Sequence, residues 1–302
     1  MRGCSTDRDM KPASKQEGPI AASSDYVRFL ILAEARSGST MLKDALNSSP
    51  RINCFSEVFN VVFDGVMYGG VEGYDNNSAE DRALRDRDFR AFLRERIFCR
   101  HPDEVEAVGL KHLVGRGYAS PFTGLLPHLA EDRQIRVLYL RRRNVLKRLV
   151  SLKLAMATGV WADLPKPGLT PAMVLRAARR PLRAATKLPR LLQLAKPRQK
   201  VVRPQVAVSR EELFGAMIGA EQSALHSHDL FRDHQLLTLF YEELVEQRDE
   251  SFRQAQEFLG VEPEPLEVAL RKQNPEPLPE LLSNYDELFE AYRNSKHAWM
   301  FR

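Results

Sequence analysis

The first chemistry-bearing residues are Ala35-Arg36-Ser37-Gly38-Ser39-Thr40, set between the apolar run VRFLILA (residues 27–33) and MLKDALN, whose apolar spacing is helical. A run that short, with β-branched residues, predicts a buried strand. In an open parallel sheet, ligands bind where strands end and helices begin. Unpaired backbone N–H groups at the helix start, with the positive end of its dipole, favour an anion there. Gly38 lets the backbone approach that anion closely. Ser37, Ser39 and Thr40 add short hydroxyl donors, and Arg36 adds a charge. A Walker A loop would need a first Gly five residues before Gly-Lys-Ser/Thr, and position 39 is Ser, so the pattern does not indicate ATP with Mg²⁺. The plain structural alternative is a Ser/Gly turn with a Ser or Thr N-cap.

A second cationic element lies further on. RVLYL (136–140) reads as a strand, and Arg141-Arg142-Arg143-Asn144 follows, with Ser151 two turns into the next helix. Three arginines at a strand's carboxyl edge repel one another unless an anion or solvent relieves them, and Arg suits bidentate phosphate contact. Read alone, the element could equally be a solvated basic helix start. Read together, the two elements supply separate sites for two phosphate groups on one sheet edge. A nucleotide phosphorylated on both its 5′ and 3′ sides requires that arrangement.

This pair resembles the sulfotransferase family, whose 5′-phosphosulfate loop reads Lys/Arg-Ser-Gly-Ser/Thr-Thr, here Arg36 to Thr40. The family's 3′-phosphate element reads Leu-x-Arg-x-Asn and then Ser, here Leu140, Arg142, Asn144 and Ser151. FYEELVEQ, FLGV and KQNPEPLPELLSNYDEL resemble the closing segment of bacterial-type members. The likeness covers roughly residues 27–157 and 235–292. It implies transfer of a sulfuryl group from 3′-phosphoadenosine 5′-phosphosulfate (PAPS) to the hydroxyl of a carbohydrate, glycolipid or other small alcohol, without a metal. On it, Ser37, Gly38, Ser39 and Thr40 hold the 5′-phosphosulfate, and Arg36 also stabilises charge at the transferring group. Arg142 and Ser151 bind the 3′-phosphate, the choice among Arg141, Arg142 and Arg143 resting on family spacing.

An acceptor hydroxyl must lose its proton, which calls for a general base. The resemblance implies Glu57, in INCFSE; the alternative is an acidic residue in the first turn of the next helix with Ser56 as N-cap. Lys111 and His112 end the strand EAVGLK and point toward the same cleft on this reading, Lys111 touching cofactor or acceptor and His112 standing as a rival base. A solvated strand-end lysine is the alternative. Other classes remain in view: a small-molecule kinase with a degenerate loop, and a non-catalytic basic protein that binds membrane or nucleic acid. The missing Gly-Lys pair argues against the first. A net charge of only +5, with no aromatic platform, argues against the second and against nucleic acid as a partner.

These residues need a scaffold, and the periodicity supplies one. Strands are predicted at 27–33, 106–111, 136–140 and 235–241. Helices are predicted after the loop up to Pro50, over 80–100, over 144–157, and around Phe252, Ala255 and Phe258 with Gly260 as C-cap. Alternating strand and helix predicts an α/β fold: a three-layer, open, mostly parallel sheet with helices on both faces, of P-loop-like architecture. At 302 residues with 43% hydrophobic composition, one large domain over 25–302 fits, behind a flexible tail over 1–24. No membrane-length apolar run or signal-peptide pattern is present. With three widely spaced cysteines, Cys4, Cys54 and Cys99, a reducing cytoplasmic setting is expected. From Leu164 to Arg210 there is no acidic residue among twelve Lys and Arg. That insertion is either an irregular loop or a basic surface for peripheral contact with anionic membrane. Gly65, Gly69, Gly70 and Gly73 read as a loop near the acceptor, His226 and His228 as an isolated pair, and Lys272 and Asn274 as a turn within reach of the cofactor.

Overall fold

The computed structural model describes residues 22–23, 25–62, 65–115, 121–161, 204–268 and 275–302. In chain order the strands are β1 (Ala22–Ser23), β2 (Val27–Glu34), β3 (Ile52–Phe55), β4 (His101–Pro102), β5 (Ala107–Val114), β6 (Arg136–Arg141) and β7 (Leu236–Phe240). The helices are α1 (Ser39–Leu46), α2 (Ala79–Arg87), α3 (Phe89–Phe92), α4 (Leu125–Glu131), α5 (Val145–Thr158), α6 (Arg210–Leu230), α7 (Tyr241–Glu246), α8 (Arg248–Leu259), α9 (Leu278–Leu281) and α10 (Tyr285–Tyr292).

Five strands form one sheet in the order β3-β5-β2-β6-β7, every pair parallel. Parallel strands need crossovers, and helices supply them, so both faces are covered. On one face Phe29, Ile31 and Ala33 pack with Leu42 and Ala45 of α1 and with Phe252 and Ala255 of α8. On the other, Leu30 and Leu32 pack with Phe92, Leu125 and Phe231. A third cluster joins Leu146 of α5 and Leu213 of α6 to Leu278, Leu288 and Phe301. The three-layer α/β expectation holds. β2 is central; the chain leaves it toward β3 on one side and later adds β6 and β7 on the other. Its carboxyl end is therefore the switch point where a ligand crevice opens.

Several boundaries differ from expectation. The span 80–100 is broken at Asp88, whose extended backbone (φ −147°) stops α2 while its carboxylate accepts from Arg90 and Ala91 N–H to start α3. A π-helical turn over Leu93–Ile97 continues it. α1 ends at Leu46, before Pro50: the Asn47 amide donates to Cys54 O (2.7 Å) and accepts from Cys54 N, so a side chain turns the chain into β3. Ala22–Ser23, within the stretch read as a tail, pairs antiparallel with His101–Pro102. α6 was not foreseen; Ser209 and Glu212 close a reciprocal capping box at its start. Residues 1–21, and residues 164–203 of the basic insertion, lie outside the described residues, as do Lys272 and Asn274.

Gly109 shows what the register demands. A Cβ there would sit 2.4 Å from Phe29 O and 2.5 Å from the Phe29 ring, against backbone that cannot yield. We expect Gly109→Ala to lower unfolding free energy by about 2 kcal/mol, the usual cost of overpacking, in urea titrations. Wild-type stability in that variant would mean the β2–β5 contact is looser than described.

Candidate active site

The turn after β2 is built from its own backbone. Ser37, fully buried, donates both its N–H (3.3 Å) and its hydroxyl (2.7 Å) to Glu34 O. Arg36 holds a left-handed conformation (φ 66°), which costs a non-glycine residue about 1 kcal/mol. Gly38 (φ 91°) is the N-cap of α1, and a Cβ on it would lie 2.5 Å from the Tyr241 ring. Only glycine meets both conditions. The first N–H groups of α1 are thereby aimed over the carboxyl edge of the sheet.

The arginine run sorts by surroundings. Arg141 pairs with Glu221 (3.0 Å), and Arg143 pairs with Glu243 and lies over the Phe240 ring (3.7 Å). Arg142 turns inward: its Nη1 donates to Arg36 O (3.1 Å) and its guanidinium stacks 4.4 Å from the Tyr241 ring centroid. Its buried Nε has no hydrogen-bond partner among the described residues. Arg36 in turn donates from Nε to Ser151 Oγ (3.0 Å) and from Nη1 to Trp161 O. Burial lowers the pKa of both arginines, and for Arg36 the Arg142 charge lowers it further. The start of α5 is already capped: Glu242 accepts from Arg143 N and Asn144 N, and the Asn144 side chain accepts from Lys147 N. An anion at this element would therefore meet side chains and not the helix end.

A third group sits beside α1. Lys111 Nζ lies 2.8 Å from Glu57 Oε1 and donates to Thr40 Oγ1 (3.1 Å), with the lysine 3% and Glu57 14% exposed. Asn60 donates to Glu57 Oε2 (2.9 Å). Glu57 and Ser56 lie in a turn and begin no helix; Ser56 N donates to Tyr68 O. The expectation that Lys111 and His112 end their strand fails, because β5 runs on to Val114, and consecutive residues there face opposite sides of the sheet. Lys111 shares the α1 face with Leu113 and His112 the other face with Leu110. Burial pushes the His112 pKa down to about 4, Glu57 countering slightly, so the imidazole is neutral and a weak base. Gly69 closes over this turn: its carbonyl accepts from Lys43 Nζ (3.0 Å), and a Cβ on it would meet Ser56 at 2.7 Å.

Arg36, Gly38, Ser39, Thr40, Arg142 and Ser151 line a single cleft of about 430 Å³, while Ser37 is buried in the turn and Lys111 reaches that turn through Thr40. Its rim adds Lys147, Arg248 and Arg302, making the volume strongly cationic. A family model described as "Sulfotransferase domain" matches residues 27–276, which spans every element of this cleft except the last helices. The chain belongs to the sulfotransferase domain family. The solved sulfotransferase from Alicyclobacillus acidocaldarius is similar at 17% identity and TM-score 0.41, over 88% of this chain and 90% of that one. The sulfotransferase domain from the Synechococcus PCC 7002 olefin synthase is similar at 15% and 0.35, over 82% and 78%. A search of curated proteins found no significant match.

Sequence reasoning overlooked several walls of this cleft. Tyr241 was read as the end of a strand; its position on the same sheet edge as Arg142 was the available signal. Trp161, Tyr285 and Phe301 line the cleft from outside the sheet and carried none. His228 packs edge-on against Tyr139 (5.7 Å). Among the described residues no three His, Cys, Asp or Glu are grouped to hold a metal ion. No described helix is long and apolar enough to cross a membrane.

His112 yields a pH prediction. The fold keeps it neutral, whereas the unfolded chain takes a proton near pH 6.5. Its contribution to stability is therefore whole above pH 6.5 and fades as pH falls toward 4, on the order of 3 kcal/mol in all. Denaturant titrations of wild type and His112→Gln should diverge in slope across that window. Parallel curves would show that the imidazole is not held neutral.

Proposed function

We propose that the protein transfers a sulfuryl group from PAPS to an acceptor hydroxyl. The observation that carries this reading is the pair of half-buried guanidiniums, Arg36 and Arg142, on one cleft wall, the Arg142 Nε having no partner among the described residues. Two like charges taken out of water are costly unless an anion joins them. The residues present fit a doubly phosphorylated nucleotide. The start of α1, with Ser39 and Thr40, faces a 5′-phosphosulfate, and Arg142 with Ser151 faces a 3′-phosphate. PAPS supplies an activated sulfur whose bond to the 5′-phosphate oxygen breaks as the acceptor oxygen bonds to it. Charge left on that phosphate is met by Arg36 and the loop N–H groups. With cations so dense, we infer that no divalent metal is required.

The hydroxyl proton goes to Glu57. Both of its oxygens are held, by Lys111 and Asn60, yet a carboxylate retains lone pairs for one more donor. Lys111 positions it by joining Glu57 to Thr40 in the loop that holds the donor. Residues 25–302 act as one domain, supported by Phe301 packing with α5 and α6 and also lining the cleft. We place the protein in the cytoplasm, a reading supported by the free thiols of Cys54 and Cys99.

Adenosine 3′,5′-bisphosphate with a chelator present should raise Tm by on the order of 5 °C at saturation, and Mg-ATP should not. Arg142→Ala should weaken bisphosphate binding at least about tenfold in calorimetry. A shift with Mg-ATP alone would favour a kinase. Glu57→Gln should lower kcat by about 10²-fold or more while bisphosphate affinity holds; near-normal turnover removes it from the mechanism.

A further inference from the structure

One apolar surface takes no part in the core clusters or in the cationic cleft. It lies on α6, the longest described helix at 21 residues, which buries Leu213, Ala220, Ala224 and Ser227 on its inner side. On the outer side Phe214, Ile218 and Leu225 stand 58%, 37% and 71% exposed. With Glu211, Glu221 and His228 they form one line along the helix, in alternating steps of three and four residues. That spacing is the seam of a coiled coil, a narrow stripe kept facing a partner helix. Single exposed apolar residues are ordinary on a surface, whereas a seam marks a contact. Gly215, beside the seam, points the same way. A Cβ there would meet nothing within 4 Å, so no described contact demands a residue that weakens a helix interior. Its bare backbone leaves room for a second helix to approach.

The seam is complementary to itself read backwards. A two-fold axis sets two copies of a helix antiparallel and makes every contact occur twice. With that axis passing between Gly219 and Ala220, Phe214 meets Leu225 of the other copy, Ile218 meets Glu221, and Glu211 meets His228. Glu221 brings no bare charge to Ile218, because Arg141 of its own chain holds the carboxylate (3.0 Å) and the side-chain methylenes cover the isoleucine. His228 rests edge-on against Tyr139 yet stays exposed, open to a carboxylate from across the seam. Sliding one copy by seven residues in one direction sets Glu211 against Glu221 in two layers. Sliding it the other way leaves Phe214 beyond the end of the opposing helix. A parallel pair sets Glu211 and Glu221 each against its own copy. Like charges so placed repel, and the one register free of these faults is the antiparallel one first described.

We propose that α6 is a dimer surface, on which a second copy of this chain packs α6 against α6, antiparallel, with Phe214 and Leu225 as reciprocal anchors. The contact is a helix pair about 30 Å long. A pair of that size lies at the lower end of specific interfaces, which sets a Kd on the order of 10 µM. None of the six seam residues lines the cationic cleft, so monomer and dimer bind adenosine 3′,5′-bisphosphate alike. The pairing is independent of sulfuryl transfer and stands or falls without it.

Sedimentation velocity on the full chain from about 1 to 100 µM brackets that constant and should show monomer giving way to dimer. Leu225→Glu changes a solvent-facing position, so it should keep the wild-type Tm and bisphosphate affinity while raising the dimer Kd about tenfold or more. Oxidative cross-linking with copper–phenanthroline reads the register. Phe214→Cys protein mixed with Leu225→Cys protein should give a disulfide-linked dimer above the background set by the native cysteines. Neither variant alone should, because like positions lie about 16 Å apart along the seam, beyond disulfide reach. A monomer throughout the range, a dimer that Leu225→Glu leaves intact, a mixture that fails to cross-link, or Phe214→Cys linking to itself overturns the proposal. So does a monomer that pellets with phosphatidylserine–phosphatidylcholine vesicles and is released by Leu225→Glu, which would make the stripe a membrane face.

Discussion

Two guanidiniums share one half-buried wall, and the rest of the site is arranged around that electrostatic cost. Desolvation and mutual repulsion depress the pKa of Arg36, and Arg142 keeps an unpartnered Nε. Such a pair persists only where the surrounding structure over-determines it. Here the Arg36 backbone is set by the two bonds Ser37 makes to Glu34 O, and the Arg142 side chain is clamped between the Arg36 carbonyl and the Tyr241 ring. Tyr241 also closes on Gly38, so one aromatic ring fixes both anion-facing elements. The adjacent arginines are neutralised by Glu221 and Glu243, which leaves Arg142 as the one member of the run that lines the cleft.

The same economy governs the proton side. Thr40, Lys111 and Glu57 come from α1, β5 and the turn after β3, and only the register of three parallel strands brings Lys111 to 3.1 Å from Thr40 and 2.8 Å from Glu57. Gly109 permits the close β2–β5 approach, and Gly69 permits the loop to seal over Ser56. A lysine 3% exposed is tolerable because carboxylate and hydroxyl meet it together. Structure and electrostatics are therefore one constraint: loosening either glycine contact would move the ion pair away from the phosphate loop.

Much of the fold was legible beforehand because short β-branched runs separated by amphipathic helices admit few parallel arrangements. The strands at Val27, Arg136 and Leu236 and the Gly260 cap fall where periodicity places them. The errors have local causes. Asp88 is a better N-cap than helix interior, which splits the span 80–100, and Asn47 ends α1 through a side-chain bridge to Cys54 that spacing does not reveal. His112 was misjudged because the strand runs three residues past Lys111, turning a strand-end pair into residues on opposite faces.

The chain's residue order by itself determined the phosphate loop, the arginine run and the alternation that builds a parallel sheet, since these depend on neighbours a few positions apart. It could not decide which of three arginines faces the cleft, that Tyr241 stacks on it, or that Lys111 joins Thr40 to Glu57. Those relations link residues 54 to 106 positions apart. They exist only once strand register and helix packing bring them within hydrogen-bond range, and local propensity carries no information about that distance.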